Sequence, residues 1–333
     1  MKRMLVCLDG SGLSRSILPI ARGIAKRGDF EAVLLRGLEP APYAIPAAAG
    51  LAFMGPEPRD PTATARTRDQ IHDELAAELR DFPSGGTSLV PDADDPSRMI
   101  VAAARAEGVD FVAMATHSRR PIGELLFGGV AHGVVRSGVA PVILFHPSDS
   151  HDAAAWPQGD RPIMVVCLDG SRFSRSILPA AQTLARAMDA ETHLIRVLDD
   201  SKIKATVLRH RRAGAVPGFR QTLDDEHRDF RSDVGHDHVI EPRTQAIERV
   251  GQTAHLELDA DLEGFPDNAQ ATVLHGDEPA KLITDYLGSV QADLVAMATH
   301  SRRPMTEIVA GSVTDAVVRS GIAPALVLHP ADR

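Results

Sequence analysis

Cysteine and aromatic residues are scarce in this chain of 333 residues. It has two cysteines, and Phe, Trp and Tyr together make up 4% of the sequence. So few thiols exclude a disulfide scaffold, and no Cys/His spacing typical of a zinc site occurs. Cys7 and Cys167 lie inside apolar, strand-like runs, so we expect two buried free thiols rather than a disulfide. The core must therefore be built mainly from Ala, Val, Leu and Ile.

Long apolar runs and an excess of positive charge are also missing. No run is long enough to cross a bilayer, and because an apolar strand-like run stands at the start of the sequence, we expect no signal peptide. The net charge of -9 argues against a large nucleic-acid surface, because neutralising phosphates requires clustered Lys and Arg. We therefore expect a cytoplasmic protein with no nucleic-acid partner and no membrane partner.

One sequence unit occurs twice. Residues 6–26 and 166–186 are identical at 14 of 21 positions, and residues 112–147 and 295–330 at 22 of 36. The offset between matching residues is 160 in the first block and 183 in the second, so copy two has about 23 additional residues in its middle. This duplication predicts two homologous domains, each long enough to bury its own core.

The domain bounds follow from the repeat and from a polar, proline-containing stretch between the copies. We predict domain one at residues 1–147, a linker at 148–160, and domain two at 161–333 with an insertion in its middle. Strands alternate with helices in both copies, which is typical of parallel sheets with right-handed crossovers. Ser14 is the expected N-cap of the first helix. A proline inside that helix, Pro19, predicts a bend.

The first candidate site is a carboxylate that follows the first strand of each copy. Asp9 and Asp169 are each followed by Gly-Ser. In a doubly wound sheet the carboxyl end of a central strand opens onto the ligand crevice. A carboxylate there can accept hydrogen bonds from ribose hydroxyls or from an adenine amino group. It can equally cap the following helix, and position alone does not separate the two interpretations.

The second candidate site is a loop of small residues that precedes a helix. In copy one Ala115-Thr116-His117-Ser118 is followed, after nine residues, by Gly128-Gly129. In copy two Ala298-Thr299-His300-Ser301 is followed, after nine residues, by Gly311-Ser312. Small residues let backbone N–H groups approach a ligand, and a helix N-terminus directs such donors at an anion. The loops therefore predict phosphate cradles, with Arg119, Arg120, Arg302 and Arg303 nearby; the alternative is two ordinary turns with solvated arginines.

The combination of these motifs resembles the universal stress protein family over nearly the whole chain. The resemblance rests on Val-Cys-Leu-Asp-Gly-Ser, on Met-Ala-Thr-His-Ser-Arg and on the closing Ala-Pro strands. It implies an α/β fold of two repeated doubly wound domains. Each would have a five-stranded parallel sheet, order 3-2-1-4-5, with helices on both faces.

The resemblance also implies a nucleotide site. ATP-binding members carry Gly-x2-Gly-x9-Gly-(Ser/Thr), and this chain keeps the spacing twice. Alanine replaces the first glycine and serine the second, whereas Gly128, Gly311 and Ser312 match and Gly129 replaces the final hydroxyl residue. The implied nucleotide-binding residues are Asp9, Gly37, Ala115, His117, Ser118, Arg119, Gly128 and Gly129 in copy one, and Asp169, Val197, Ala298, His300, Ser301, Arg302, Gly311 and Ser312 in copy two.

We therefore expect a regulatory stress-response protein that binds ATP or another adenine nucleotide, with or without Mg²⁺. We expect no catalytic residues and at most slow ATP hydrolysis. The alternative is a family member whose crevice is empty or holds another small molecule or a lipid. A phosphatase is disfavoured, because the second acid that should follow Asp9 is missing. His236-Asp237-His238, with His227 and His255, favours solvated loop histidines over a metal site.

The last strand of each copy, at residues 142–145 and 325–328, would form an apolar sheet edge. Such edges invite pairing, and family members dimerise through this strand. We therefore expect the two copies to pair with each other around a pseudo-two-fold axis. A further homodimer is compatible with the sequence.

Overall fold

The computed structural model of the chain contains ten strands and the helices between them. The structure describes residues 2–38, 61–92, 95–116, 128–147, 156–201, 203, 243–299 and 312–330. The elements of domain one are β1 (Lys2–Cys7), α1 (Gly12–Arg15), α2 (Leu18–Gly28), β2 (Phe30–Leu35), α3 (Pro61–Leu79), β3 (Gly86–Leu89), α4 (Pro96–Glu107), β4 (Phe111–Ala115), α5 (Gly129–Arg136) and β5 (Val142–Phe145).

Domain two repeats this order. Its elements are β6 (Ile163–Leu168), a 3-10 turn (Ser174–Ile177), α6 (Leu178–Met188), β7 (Glu191–Leu198), α7 (Arg243–Asp261), β8 (Gln270–His275), α8 (Pro279–Ser289), β9 (Leu294–Ala298), α9 (Ser312–Ser320) and β10 (Ala325–Leu328).

All ten strands form one sheet in the order β3-β2-β1-β4-β5-β10-β9-β6-β7-β8. Each half has the order 3-2-1-4-5 and is parallel throughout, so the fold-class prediction is confirmed. At the centre β5 and β10 pair antiparallel, with Leu144 opposite Ala325 and Val142 opposite Val327. The strands of the two halves therefore run in opposite directions, and their carboxyl ends lie at opposite edges of the sheet.

Alternation along the strands divides the core into two layers. Val6 and Leu34 face the layer covered by α2 and α3, whereas Leu5 and Val33 face the layer covered by α4 and α5. Domain two repeats the arrangement, with α6 and α7 on the first face and α8 and α9 on the second. Helices thus cover both faces, which explains why most strands are apolar without interruption.

The first helix differs from its prediction. Ser11, not Ser14, is the N-cap of α1, since its side chain accepts the N–H of Ser14. The expected bend at Pro19 is instead a break, because α1 ends at Arg15 and α2 starts afresh at Leu18 with proline in its first turn. Proline lacks an N–H and fits a first turn, where that donor has no intrahelical partner. Copy two has a 3-10 turn followed by α6 in the same place.

A tryptophan within the expected linker, Trp156, contacts both domains. Trp156 is 6% exposed and packs on Gly23 of α2, where an added Cβ would lie 2.5 Å from its ring. Its Nε1 donates to the backbone oxygen of Asp293 at 2.8 Å. The carboxylate of Asp293 accepts the N–H groups of Gln158 at 2.6 Å and Ile163 at 2.9 Å. The residues before β6 are thereby fixed to domain two and packed against domain one.

Candidate functional site

Each half has a crevice at the carboxyl ends of its central strands. The connection from β1 leads to the face of α2, whereas the connection from β4 leads to the face of α5. Adjacent strands whose connections leave toward opposite faces open a crevice between their ends. The ends of β6 and β9 repeat this arrangement at the opposite edge of the sheet.

The Asp-Gly-Ser turn beside each crevice is held by its own polar groups. In domain one the Ser11 N–H donates to Asp9 Oδ1 at 2.8 Å, the Ser14 N–H donates to Ser11 Oγ at 3.0 Å, and the Asp9 N–H donates to Ser14 Oγ at 3.1 Å. Domain two has the same three hydrogen bonds, at 2.8, 3.0 and 3.2 Å, around Asp169. The carboxylate therefore orders the turn that leads into the first helix.

These carboxylates are also open to the crevice. Asp9 and Asp169 are both exposed. Partial burial would raise the pKa of Asp9, but hydrogen bonds from Ser11 and Ser14 outweigh it and hold the pKa below the usual carboxyl value. An ionised, exposed carboxylate at this place is suited to accept hydrogen bonds from hydroxyl or amino groups of a ligand. Structural and ligand-binding roles are thus compatible at the same residue.

The backbone positions expected beside an adenine lie at the neighbouring strand. Gly37 follows β2, and Val197 is the next-to-last residue of β7; both are partly buried. β2 pairs with β1 and β7 pairs with β6. Each position is therefore one strand away from the turn that carries Asp9 or Asp169.

The small-residue loops are described at their ends. Ala115 ends β4 and Ala298 ends β9. Gly128, with a φ of 80°, is the N-cap of α5, which begins at Gly129; α9 begins at Ser312. α5 connects the parallel strands β4 and β5, and α9 connects the parallel strands β9 and β10. Each helix therefore begins near the carboxyl end of the strand before it, at the crevice. The predicted residues outside the described part of the chain are His117, Ser118, Arg119, His300, Ser301, Arg302 and Gly311, together with Arg120 and Arg303.

The structure adds an ion-pair cluster that we did not predict from the sequence. In domain one Arg36 Nη1 lies 2.7 Å from Glu74 Oε2, and Arg15 lies 3.7 Å from Glu74 and 3.6 Å from Glu78. Domain two has matching residues at the repeat offsets of 160 and 183, namely Arg175, Arg196, Glu257 and Asp261. Arg196 Nη1 lies 2.7 Å from Glu257, and Arg175 lies 3.4 Å from Glu257 and 2.9 Å from Asp261.

This cluster supports the turn that carries the candidate carboxylate. A Cβ added at Gly10 would lie 2.5 Å from Arg36 Nη2, and one at Gly170 would lie 2.3 Å from Arg196 Cζ. Arg175 Nη1 also donates to the backbone oxygen of Gly170 at 3.1 Å. Burial would lower the pKa of Arg175, but Asp261 and Glu257 outweigh it and raise the pKa. Applying the two repeat offsets to charged residues would have revealed the cluster.

In the part of the chain that the structure describes, no three His, Cys, Asp or Glu side chains are grouped so that they could hold a metal ion. None of the described helices combines the length and the hydrophobicity of a membrane span. His255 of α7 lies 3.5 Å from Asp259 in an exposed pair. The other histidines considered for a metal, at 227, 236 and 238, fall outside the described ranges.

Two doubly wound α/β domains in one sheet, each with an Asp-Gly-Ser turn and a helix N-terminus at its crevice, define a tandem crevice-type α/β protein. The model of the universal stress protein family matches residues 1–146 and again 161–329. The chain belongs to the universal stress protein family.

Solved structures agree on the fold. A universal stress protein from Archaeoglobus fulgidus DSM 4304 is 18% identical with a TM-score of 0.60, and 98% of each chain is covered. A provisionally named universal stress protein from Pseudomonas aeruginosa UCBPP-PA14 is 18% identical with a TM-score of 0.59, covering 99% of this chain and 94% of that one. Among curated proteins no relative matches the sequence.

Proposed function

We propose that this universal stress protein is a regulatory protein that binds ATP or another adenine nucleotide in its two crevices. The observation that carries the proposal is the repeated geometry of the crevice. In each half an exposed carboxylate on an ordered turn and a helix N-terminus lie at the carboxyl edge of adjacent strands. A carboxylate suits ribose hydroxyls, and a helix N-terminus suits phosphate.

In this proposal each residue has a definite part. The Asp9 and Asp169 carboxylates accept hydrogen bonds from the ribose, and the backbone at Gly37 and Val197 borders the adenine. Phosphates lie against the small residues and helix starts, with or without Mg²⁺. These residues are Ala115, His117, Ser118, Arg119, Gly128 and Gly129 in domain one, and Ala298, His300, Ser301, Arg302, Gly311 and Ser312 in domain two.

The second crevice is the better candidate. Ser312 provides a hydroxyl residue at the last motif position, whereas Gly129 does not. Alanine and serine at the glycine positions 115, 118, 298 and 301 add Cβ atoms that crowd phosphates in both halves. We therefore propose tighter binding in domain two. No catalytic role is assigned, and hydrolysis of ATP is at most slow.

Isothermal titration of the full chain with ATP, AMP and adenosine tests the proposal. Asp169→Asn should weaken binding in the second crevice about 10-fold, because a charge-assisted hydrogen bond is lost. Asp9→Asn should do the same for the first crevice only. The control is Asp285→Asn, which alters an exposed carboxylate on α8 paired with Lys281 at 3.1 Å and should leave binding unchanged.

A complete lack of binding heat with all three ligands would refute adenine-nucleotide binding. The departures from glycine are the observation behind a second candidate function, a family member whose crevice is empty or holds another small molecule or a lipid. Mass spectrometry of protein purified without added ligand separates the two functions: AMP or ATP supports the first, and a lipid supports the second. We further propose a cytoplasmic protein in which the β5–β10 pairing takes the place of a dimer contact.

A further inference from the structure

β10 pairs with β5 of domain one, and the end of β9 lies beside the end of β10, with Ala298 opposite Leu328. Thr299 follows β9 and His329 follows β10, and the Thr299 N–H donates to the Leu328 oxygen at 2.8 Å. Met297 and Val327 lie two residues earlier and pack in the core on that face. Alternation therefore directs Thr299 and His329 to the same side. We call this place, where domain two meets α5 of domain one, the seam.

Three buried polar atoms at the seam have no hydrogen-bond partner. They are Thr299 Oγ1, His329 Nδ1 and His132 Nε2, and Thr299 is only 3% exposed. His132 lies on α5, which leads into β5, and β5 pairs with β10 so that Val142 lies opposite Val327, two residues before His329. Burial, Arg136 and then His329 lower the pKa of His132, which agrees with this placement. Buried polar atoms are usually hydrogen-bonded in folded proteins, so these three atoms are available to an added hydrogen-bonding group.

The corresponding place in the other half is complete without a ligand. The offset of 183 takes His132 to Asp315 and Arg136 to Arg319. Asp315 is 8% exposed and forms an ion pair with Arg319, whose Nε lies 2.8 Å from Oδ1. At this corresponding place of the other half, the Asp315 carboxylate is therefore the anion that pairs with the arginine.

The charge at the seam differs from that at the corresponding place of the other half because of one sequence difference between the copies. His132 stands where the other half has the carboxylate of Asp315, so Arg136 lacks the acidic neighbour that Arg319 has four residues before it. No ion pair of Arg136 occurs within the described part of the chain. Within the described residues, His132, His329 and the exposed Arg136 therefore have no carboxylate partner.

We propose that the seam binds a small oxyanion of the phosphate or sulfate class between His132, His329 and Thr299, with Arg136 balancing its charge. The oxyanion takes the place that the Asp315 carboxylate has in the other half. Imidazolium, hydroxyl and guanidinium groups are all donors to such an ion. The site joins both domains, so its occupation also strengthens their contact.

Binding at this site is coupled to proton uptake. Burial lowers the pKa of His132, and the charges of Arg136 and His329 lower it further. An anion favours the protonated ring, so affinity rises as the pH falls through the pKa of His132 in the complex. Sulfate is the appropriate probe, because its own charge is constant over this range. We expect its affinity to increase about 10-fold between pH 8 and pH 6.

The experiment follows the imidazole ¹H–¹⁵N signals of the full chain during titration with sulfate and then with inorganic phosphate. The signals of His132 and His329 should shift together and saturate, while that of the exposed His255 stays unchanged. His132→Asp should abolish the response, because it supplies the carboxylate of the other half. His132→Asn replaces the imidazole by an uncharged amide of similar shape near the backbone, and it should weaken sulfate binding about 10-fold. The control variant His255→Asn should bind as the wild type does.

Signals of His132 and His329 that do not respond to sulfate overturn the proposal, as does wild-type affinity in both His132 variants. Adding AMP and ATP distinguishes two sources of the oxyanion, because Thr299 directly follows Ala298 of the second crevice. A response to ATP alone assigns the seam to the terminal phosphate of a nucleotide and overturns the free-anion site. A sulfate response without adenine binding would refute only the proposed function, and adenine binding without a sulfate response only the seam.

Discussion

Arg36 is bound to Glu74 through an Nη1–Oε2 distance of 2.7 Å, and its guanidinium lies directly against the backbone of Gly10. Arg196 and Glu257 repeat both features at Gly170, again with a distance of 2.7 Å. Both arginine–glutamate pairs keep these contacts, although the members of the first pair are 38 residues apart and those of the second 61. The arginine therefore fixes the turn that presents the candidate carboxylate, and it leaves no room for a side chain there.

Gly10→Ala should lower the free energy of unfolding by about 2 kcal/mol, since it combines a clash with Arg36 and a strained backbone. Gly10 has a φ of 84°, which favours glycine. The matched control is Gly12→Ala, two residues along, where an added Cβ meets nothing within 4 Å. Urea denaturation should show the control unchanged or slightly stabilised. Equal effects of the two substitutions would contradict the role of Arg36.

Glu257→Gln should cost about 1 kcal/mol of unfolding free energy, at the upper end for partly exposed ion pairs. Glu257 binds both Arg196 and Arg175, whose side chains are 19% and 29% exposed. Asp285→Asn breaks an exposed pair with Lys281 and should cost less than about 0.5 kcal/mol. Raising the salt concentration should reduce both effects, the second more completely. A larger loss in the Asp285 variant would show that the cluster does not stabilise the turn.

Much of the fold could be predicted because strands and helices leave regular patterns in the sequence. The last strands expected at residues 142–145 and 325–328 match β5 and β10 of the structure. The N-cap prediction for the first helix was wrong because Ser11 and Ser14 are both suitable N-cap residues. Which of them caps depends on the Asp9 turn, a tertiary arrangement that a helix pattern does not include.

The site was predictable only where its residues are close in sequence. The Asp-Gly-Ser turn is one short motif, whereas the pair of Arg36 and Glu74 joins a strand end to a helix 38 residues away. The seam joins residues of different domains, so no local motif contains it. His132 becomes informative only when the β5–β10 pairing places α5 of domain one on the same side as the end of β10.

Both thiols should be unreactive in the native protein. The prediction of buried free cysteines is confirmed, with Cys7 and Cys167 each 8% exposed. Burial raises the pKa of Cys7 to about 12 and that of Cys167 further, so almost no thiolate is present at pH 8. A thiol-exchange reagent should label neither residue in buffer and both in guanidinium chloride. Rapid labelling of one thiol in the native state would contradict this burial.

Stability below neutral pH should depend on Asp9. Because the folded-state pKa of Asp9 is lower than its usual value, its contribution is present above about pH 4. That contribution is lost as the pH falls through the folded-state pKa. Asp9→Asn should therefore be less stable than the wild type at pH 7, and the difference should shrink in acid. Urea denaturation at several pH values measures this difference in stability, and a constant difference would contradict a lowered pKa of Asp9.

Asp293 should be among the most sensitive positions of domain two, because its buried carboxylate holds the residues that precede β6. It is 1% exposed and accepts the N–H groups of Gln158 and Ile163. Asp293→Ala should cost about 3 kcal/mol, since an acceptor shared by two backbone donors is lost in a buried place. The repeat supplies the control, Asp110, which is exposed and accepts one N–H, from Arg3 at 2.7 Å. Asp110→Ala should cost only about 1 kcal/mol. Thermal and urea unfolding measure both losses. Comparable losses would show that the hydrogen bonds that Asp293 accepts from Gln158 and Ile163 add nothing, because Asp110 and Asp293 occupy equivalent positions of the repeat.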